Sequence, residues 1–134
     1  MNKLNGTIVN IQSSPEMSIV EVAVSGDIFS AMVLETPVSA AYLKVGNKVD
    51  IIFKETEVSI GRDLFGLISI RNRFKGHIQS IEEHPILSTI VLNCKAGVIA
   101  SIITTKSVHR LDLKQGIEVE WLVKTNEVSL CPTI

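Results

Sequence analysis

The second half of this chain repeats the first half at an offset of 70 residues, without a gap. Residues 1–64 align with residues 71–134, and fifteen of the 64 aligned pairs are identical. A further set of pairs exchanges one apolar residue for another, as at Val22 and Leu92. A register kept over such a length indicates two copies of one structural unit. We therefore predict two domains, residues 1–64 and residues 65–134.

Each copy shows the pattern of a small β-barrel. In the first copy, apolar alternation and β-prone runs predict five strands, at Thr7–Ile11, Ile19–Val24, Ile28–Leu34, Val49–Phe53 and Val58–Ile60. Between the third and fourth strands, Thr36–Gly46 begins with a cap residue and a proline and ends at a glycine, which predicts a short helix. This is the element order of an OB-like barrel. The predicted fold class is all-β: two tandem OB-like five-stranded barrels, each with one short helix between strands 3 and 4.

The two predicted barrels are too small to be independent of each other. A domain of about 65 residues buries a small share of its surface and is marginally stable, and the joint at Gly61–Gly66 is too short for a flexible tether. We expect the copies to pack together rigidly, or to oligomerise. Trp121, Cys94 and Cys131 are predicted core residues, since the two cysteines have neither metal-knuckle nor redox-pair spacing.

Composition excludes several classes of function. The 134 residues carry a net charge of −1, and only 4% are aromatic, so the chain lacks both the positive field and the stacking residues of a nucleic-acid adaptor. No apolar run is long enough to span a bilayer, and the N-terminus does not resemble a signal peptide. We expect a cytoplasmic protein with no nucleic-acid and no membrane partner.

Motifs of the common enzyme families are also missing. The sequence has no phosphate-binding loop, no zinc-protease motif and no nucleophile elbow. His77, His84 and His109 are scattered, and we predict that they lie on the surface rather than bind a metal. The chain is therefore expected not to be an enzyme, and to hold no resident metal or cofactor.

Charge separates the two copies. Residues 1–64 carry a net charge of −3 and residues 65–134 a net charge of +2. In the second copy, Thr104 and Ser107 can place two hydroxyls on one side of a first helical turn, which would suit an oxyanion. The aligned residues in the first copy are Leu34 and Pro37. The simpler interpretation is that Thr104, or its neighbour Thr105, only caps the helix.

Two further segments of the second copy favour an anion. Ser69-Ile70-Arg71 leads into it with a hydroxyl and a cation, whereas the first copy opens at Met1. Lys124-Thr125 follows its fourth strand, where the first copy has Lys54-Glu55. Three distant segments thus each gain donors or lose acids. This agreement favours an oxyanion site over an ordinary solvated surface.

At these residues the sequence resembles the molbindin, or Mop, family, the molybdate-binding branch of the TOBE domains, in its tandem two-copy form. The similarity extends over the whole chain and has three segments. They are Ser69-Ile70-Arg71-Asn72 before Lys75-Gly76, then Ile103-Thr104-Thr105-Lys106-Ser107 before Leu111-Asp112-Leu113-Lys114-Gln115-Gly116, and finally Lys124-Thr125. The sequence departs from the family at Ile70, where alanine is usual, and in the first copy, which lacks the lead-in and both helix hydroxyls.

The resemblance implies a protein that binds molybdate, and often tungstate, without chemistry, as a homotrimer with oxyanion sites at subunit interfaces. The implied ligands are Ser69, Arg71, Thr104, Ser107, Lys124 and Thr125, with a backbone group of Ile70. Because molybdate has no proton to donate at neutral pH, a site made of donors alone suits it. We expect fewer sites than a fully duplicated chain would have. A storage role is favoured, since the two copies leave no room for an attached ATPase or DNA-binding part; an oxyanion-sensing module for a transporter or transcription regulator is the alternative.

Overall fold

The fold is built almost entirely of antiparallel β-strands. The computed structural model describes residues 1–133, in which ten strands form two five-stranded sheets. The strands are β1 (Asn2–Ser13), β2 (Ser18–Val24), β3 (Asp27–Val33), β4 (Lys48–Phe53), β5 (Ser59–Gly61), β6 (Asn72–Glu83), β7 (Leu87–Cys94), β8 (Gly97–Thr104), β9 (Glu118–Val123) and β10 (Ser129–Pro132). One α-helix, α1 (Thr105–Arg110), and two 3-10 turns, Glu55–Glu57 and Thr125–Glu127, complete the described elements. The predicted all-β class is confirmed.

The sequence repeat is also a structural repeat. β1 and β6 begin exactly one repeat apart, and the two 3-10 turns follow the same offset. A bulge between Ile8 and Asn10 in β1 recurs between Ile78 and Ser80 in β6. The identical pair Gly6 and Gly76 has a steric cause, since a Cβ on Gly6 would lie 2.6 Å from a backbone oxygen of β2.

The fifth strand of each copy belongs to the sheet of the other copy. The strand orders are β10-β4-β1-β2-β3 and β5-β9-β6-β7-β8. β10 pairs with β4 through Leu130 and Ile51, while β5 pairs with β9 through Ile60 and Trp121. The division between residues 64 and 65 therefore describes the sequence copies but does not divide the sheets. β5 of the first copy completes the sheet of the second copy, and β10 of the second copy completes the sheet of the first.

Aromatic side chains join the two halves through one shared core. Phe29 and Phe53 of the first copy meet Phe74 and Trp121 of the second, with the Phe29 and Phe74 ring centroids 4.3 Å apart. Trp121 is fully buried, as predicted. The expected packing of the two copies against each other is confirmed by this cluster.

Buried amides reinforce the contact between halves. The side chain of Asn72 accepts a hydrogen bond from the Ser30 backbone N–H at 2.7 Å and donates to the Ser30 carbonyl at 2.8 Å. Its repeat equivalent, Asn2, makes the same two bonds to Ala100 in β8, both at 2.8 Å. Each amide therefore completes the backbone hydrogen bonding of a strand in the opposite half, which explains why this pair is identical.

The joint between the copies is held by two arginines. Arg62 donates from Nη1 to the carbonyls of Leu111 and Asp112, at 3.0 and 2.8 Å. Arg73 donates to the carbonyls of Leu64 and Gly66 and pairs with Glu120. These bonds attach the joint to the second half.

Two predictions for single elements are wrong. Cys131 is exposed rather than buried, because it lies on β10 at the edge of its sheet, whereas Cys94 is half-buried and burial raises the pKa of its thiol to about 11. The predicted helix at Thr36–Gly46 is also wrong. The segment makes one turn, in which the Ala40 N–H donates to the Thr36 carbonyl, and then continues as irregular turns.

The missing helix has a tertiary cause. In the second copy, the start of α1 is anchored by Thr105, whose hydroxyl donates to the His84 carbonyl at 2.6 Å and lies 2.7 Å from the Ser88 hydroxyl. The aligned residue in the first copy is Glu35, which is exposed. Without that anchor Val38 is 98% exposed, whereas its equivalent Val108 is 3% exposed. Local helix signals were present, but the packing that supports a helix was not.

Among residues 1–133, no helix is long and apolar enough to cross a bilayer.

Candidate functional site

Four of the seven predicted ligand residues line one cavity. Its volume is about 220 Å³. The second copy contributes the predicted residues together with one further amide, and the first copy contributes two apolar side chains. The lining is Ser69, Ile70, Lys124, Thr125, Asn126, Ile19 and Met32. Of the remaining predicted ligands, Arg71, Thr104 and Ser107 do not line it.

Strand pairing explains why the two polar segments meet. β6 and β9 are antiparallel, and their register joins Asn72 to Val123. The residues just before β6 therefore lie beside the residues just after β9, which brings Ser69 and Ile70 to Lys124. The 3-10 turn Thr125–Glu127 packs against β3, which adds Met32 from the first copy.

Arg71 directly follows the lining residue Ile70 in the chain but does not itself line the cavity. Its side chain is 69% exposed, and its Nη2 atom is 4.0 Å from the Oε2 atom of Glu21 in β2. The other carboxylate oxygen of Glu21 accepts a hydrogen bond from the Asn10 side chain at 3.0 Å. Reasoning from the sequence missed this carboxylate and treated the site as free of acids. The one available signal was that Glu21 aligns with the apolar Val91 in the repeat.

Thr104 and Ser107 form a separate pair at the start of α1. The Thr104 hydroxyl donates to the Ser107 hydroxyl at 2.8 Å and accepts from the Ser107 backbone N–H at 3.1 Å. The two hydroxyls therefore share one side of the first turn, as predicted, and Thr104 also serves as the helix N-cap. β8, which ends at Thr104, packs against the 3-10 turn Glu55–Glu57 of the first copy. The turn that contains Thr125 packs against β3 instead.

The first copy places acids where the second copy has donors. Glu55, the equivalent of Thr125, accepts from the Met1 amino group at 2.9 Å, and this bond lowers the pKa of its carboxyl.

Glu57 and Glu127 are repeat equivalents, and their carboxyl groups contact each other. Partial burial, followed by the hydrogen bond with Glu57, raises the pKa of Glu127, while nearby Lys124 opposes that shift.

The three histidines lie on the surface, as predicted. His77, His84 and His109 have side chains 60–65% exposed, and each lies within 4 Å of a glutamate. The closest of these contacts joins His109 Nε2 to Glu83 Oε1 at 2.7 Å. Within residues 1–133, no three side chains of metal-binding type converge on one point.

Fold and cavity together define an all-β tandem-repeat protein with a small cavity at the contact between its halves, in which polar side chains of the second copy meet apolar ones. A family model described as the TOBE domain matches residues 68–130. Two curated relatives, molybdenum-pterin-binding proteins 1 and 2 of Clostridium pasteurianum, are each 34% identical over 64 residues, which are 47% of this chain and 94% of theirs. The chain therefore belongs to the TOBE-type molbindin, or Mop, family, in its tandem two-copy form.

A solved structure is similar over nearly the whole chain. It is the cytoplasmic molybdate-binding protein ModG in a form with molybdate bound, which matches with a TM-score of 0.92 and 26% identity over 98% of this chain and 96% of that one. This likeness confirms the predicted architecture of two OB-like units in tandem.

Proposed function

We propose that this protein binds molybdate or tungstate as the intact oxyanion, for storage or homeostasis in the cytoplasm, and catalyses no reaction. The observation that carries the proposal is the meeting of Ser69 with Lys124 and Thr125 in one cavity, from segments more than 50 residues apart. Membership of the family supports it, as does the molybdate bound to the structural relative.

The chemistry of the cavity suits a tetrahedral dianion. Hydroxyls of Ser69 and Thr125 and the ammonium of Lys124 supply donors, and Arg71, which follows Ile70 in the chain, would supply a second cation. A dianion without a proton needs donors only, and charge-assisted hydrogen bonds are the strongest ones available to it. We propose these four residues, with a backbone group of Ile70, as ligands.

We further propose that the complete site lies at an interface of a homotrimer. Thr104 and Ser107 lie outside the cavity of their own chain, so they would reach an oxyanion bound by a neighbouring chain. Exposed apolar residues support self-association: Phe65 is 91% exposed and Leu67 is fully exposed. Exposed apolar clusters of this kind are typical of contact surfaces.

Calorimetric titration with molybdate, tungstate and sulfate tests the binding. We expect heat with molybdate or tungstate, and a loss of affinity of about 10-fold or more in Lys124→Ala, since a hydrogen bond to a charged group contributes about 1.5–3 kcal/mol. Lys54→Ala is the matched control, because Lys54 is the repeat equivalent of Lys124 and should leave the affinity unchanged. The proposal fails if neither oxyanion binds, or if both variants behave alike.

Native mass spectrometry tests the assembly and the number of sites. We expect a trimer that holds one oxyanion per chain at the residues of the second copy. Two or more oxyanions per chain would show that the first copy, through Lys54, also contributes. A monomer that binds molybdate with full affinity would contradict the interface site.

A further inference from the structure

Arg71, one of the proposed ligands, has a carboxylate neighbour that no donor-only site requires. Resting on the proposed oxyanion binding, we propose that Glu21 is an affinity-setting residue: a built-in counter-ion that occupies Arg71 in the empty site and that the oxyanion must displace. Binding is then an exchange of one anion for another on the same guanidinium.

The position of Glu21 is set by its own strand pairing. Asn10 and Glu21 are direct partners in the β1–β2 ladder, immediately after the bulge in β1. Asn10 holds Oε1 of Glu21 at 3.0 Å, which leaves Oε2 directed to Arg71 at 4.0 Å. The glutamate side chain is 29% exposed, against 69% for the arginine. The carboxylate is thus the more buried partner and the guanidinium the more exposed one.

Glu21 lies on the same side of β2 as a residue that lines the cavity. Ile19, two residues earlier in β2, lines the cavity, and residues two apart in a strand lie on the same face. Across the cavity, Ser69 and Ile70 precede Arg71 directly in the chain. An oxyanion bound between these segments would therefore lie close to the same guanidinium that Glu21 contacts.

Asn10, Glu21 and Arg71 do not recur at the aligned positions of the other half. The repeat equivalents of Asn10 and Glu21 are Ser80 and Val91, and the equivalent of Arg71 is Met1. The carboxylate and its amide support therefore occur only on the side that receives the arginine. This correlation is expected of a pair that acts together, and a carboxylate present only for solubility would not require it.

Electrostatics sets the direction of the effect. The Glu21 carboxylate competes for Arg71 and also repels an incoming dianion, so both contributions weaken binding. Partly exposed ion pairs contribute little, and the range measured for them corresponds to roughly a 1.5- to 5-fold change in an equilibrium constant. We expect Glu21→Gln to bind molybdate about 2- to 5-fold more tightly than the wild-type chain. The glutamine keeps an oxygen for Asn10, so the fold is preserved.

Molybdate titration of the full chain, with the melting temperature as a check of folding, tests the inference. Glu118→Gln is the matched control, because it removes the same charge from an exposed ion pair at the far end of β9, roughly 20 Å along the strand from Lys124. Glu21→Gln should tighten binding and Glu118→Gln should not. Unchanged or weaker binding in Glu21→Gln overturns the inference, and so does equal tightening in both variants.

A double-mutant cycle separates this inference from a general charge effect. In an Arg71→Ala background, Glu21→Gln should lose most of its benefit, because the competition for Arg71 no longer exists. A full 2- to 5-fold gain in that background overturns the exchange. If neither the wild-type chain nor Glu21→Gln binds any oxyanion, the proposed function fails together with the inference. If both bind with equal affinity, the inference alone fails.

Discussion

The two halves share one scaffold and differ most at a single segment, the connection between their third and fourth strands. In the second half, Thr105 is buried and α1 follows it; in the first half, Glu35 occupies that position and no helix forms. The strands around both segments are nearly the same. The comparison teaches that this helix depends on one buried hydroxyl more than on its own sequence. The first half lacks both this anchor and the two hydroxyls suited to an anion, since Leu34 and Pro37 align with Thr104 and Ser107.

The largest expected effect concerns the core that the halves share. Trp121→Ala should lower the free energy of unfolding by about 3–5 kcal/mol, because it empties the centre of the aromatic cluster. Its repeat equivalent, Ile51→Ala, should cost less, since Ile51 has no aromatic partner in the cluster. Urea denaturation of both variants measures the difference. Equal costs would show that the shared core is not centred on the second half.

The two buried amides give the next comparison. Asn72→Ala leaves the Ser30 N–H and carbonyl without partners in a buried setting and should cost about 2–4 kcal/mol. Asn2→Ala breaks the equivalent bonds to Ala100 at a less buried position and should cost less. Thermal unfolding of the two variants tests this order. A larger loss in Asn2→Ala would reverse it.

The anchor of α1 is expected to have a smaller effect, mostly local. Thr105→Val should cost about 1–3 kcal/mol, since it leaves the Ser88 hydroxyl and the His84 carbonyl without their partner. Hydrogen exchange at the amide of Val108 should become faster, and that segment should approach the behaviour of Val38. Glu35→Thr is the converse experiment in the first half.

Unchanged exchange at Val108 in Thr105→Val would contradict the proposed role of the anchor. A helix that forms in the first half without Glu35→Thr, detected as slow exchange at Val38, would contradict it as well.

The smallest expected effect is the pH dependence of one ion pair. The Arg73 guanidinium holds the pKa of Glu120 below its usual value, so the pair stabilises the fold above the ordinary glutamate pKa of about 4.3 and stops doing so as pH falls through the lower folded value. Glu120→Gln should therefore lower the melting temperature at pH 7, and the difference from wild type should shrink toward pH 3. In the first half, the repeat equivalents Lys3 and Asp50 also pair, at 3.5 Å, but the hydrogen bond from the neutral Asn5 is the largest cause of the lowered pKa of Asp50, so the effect of Asp50→Asn on the melting temperature should depend less on salt concentration. A Glu120→Gln difference that grows on acidification would contradict the assignment.

Sequence reasoning recovered the strands because apolar alternation is a local signal, and the repeat allowed each copy to support the other. It did not recover the exchange of β5 and β10. Val58-Ser59-Ile60 and Val128-Ser129-Leu130 are nearly the same pattern, so neither segment specifies which sheet it joins. That choice depends on the path of the whole chain.

The candidate site shows the same contrast between local signals, which the sequence predicts, and long-range contacts, which it does not. Ser69, Lys124 and Thr125 were predicted from the differences between the copies and Ile70 from the family resemblance, and the cavity brings the four together. Glu21 was missed, since its contact with Arg71 joins residues 50 positions apart in the sequence and in different copies. Thr104 and Ser107 do not line this cavity, because each 3-10 turn packs on a strand of the opposite copy. The turn that begins at Thr125 therefore packs on β3, whereas Thr104 ends β8.

The exchange of β5 and β10 also affects how the chain responds to dilution. A single-copy chain of this design would need a second molecule to supply its closing strand, and its folding would then depend on concentration. Here the short joint supplies that strand from the same chain, at an effective concentration that no dilution can lower. The duplicated chain therefore behaves as a dimer that cannot dissociate.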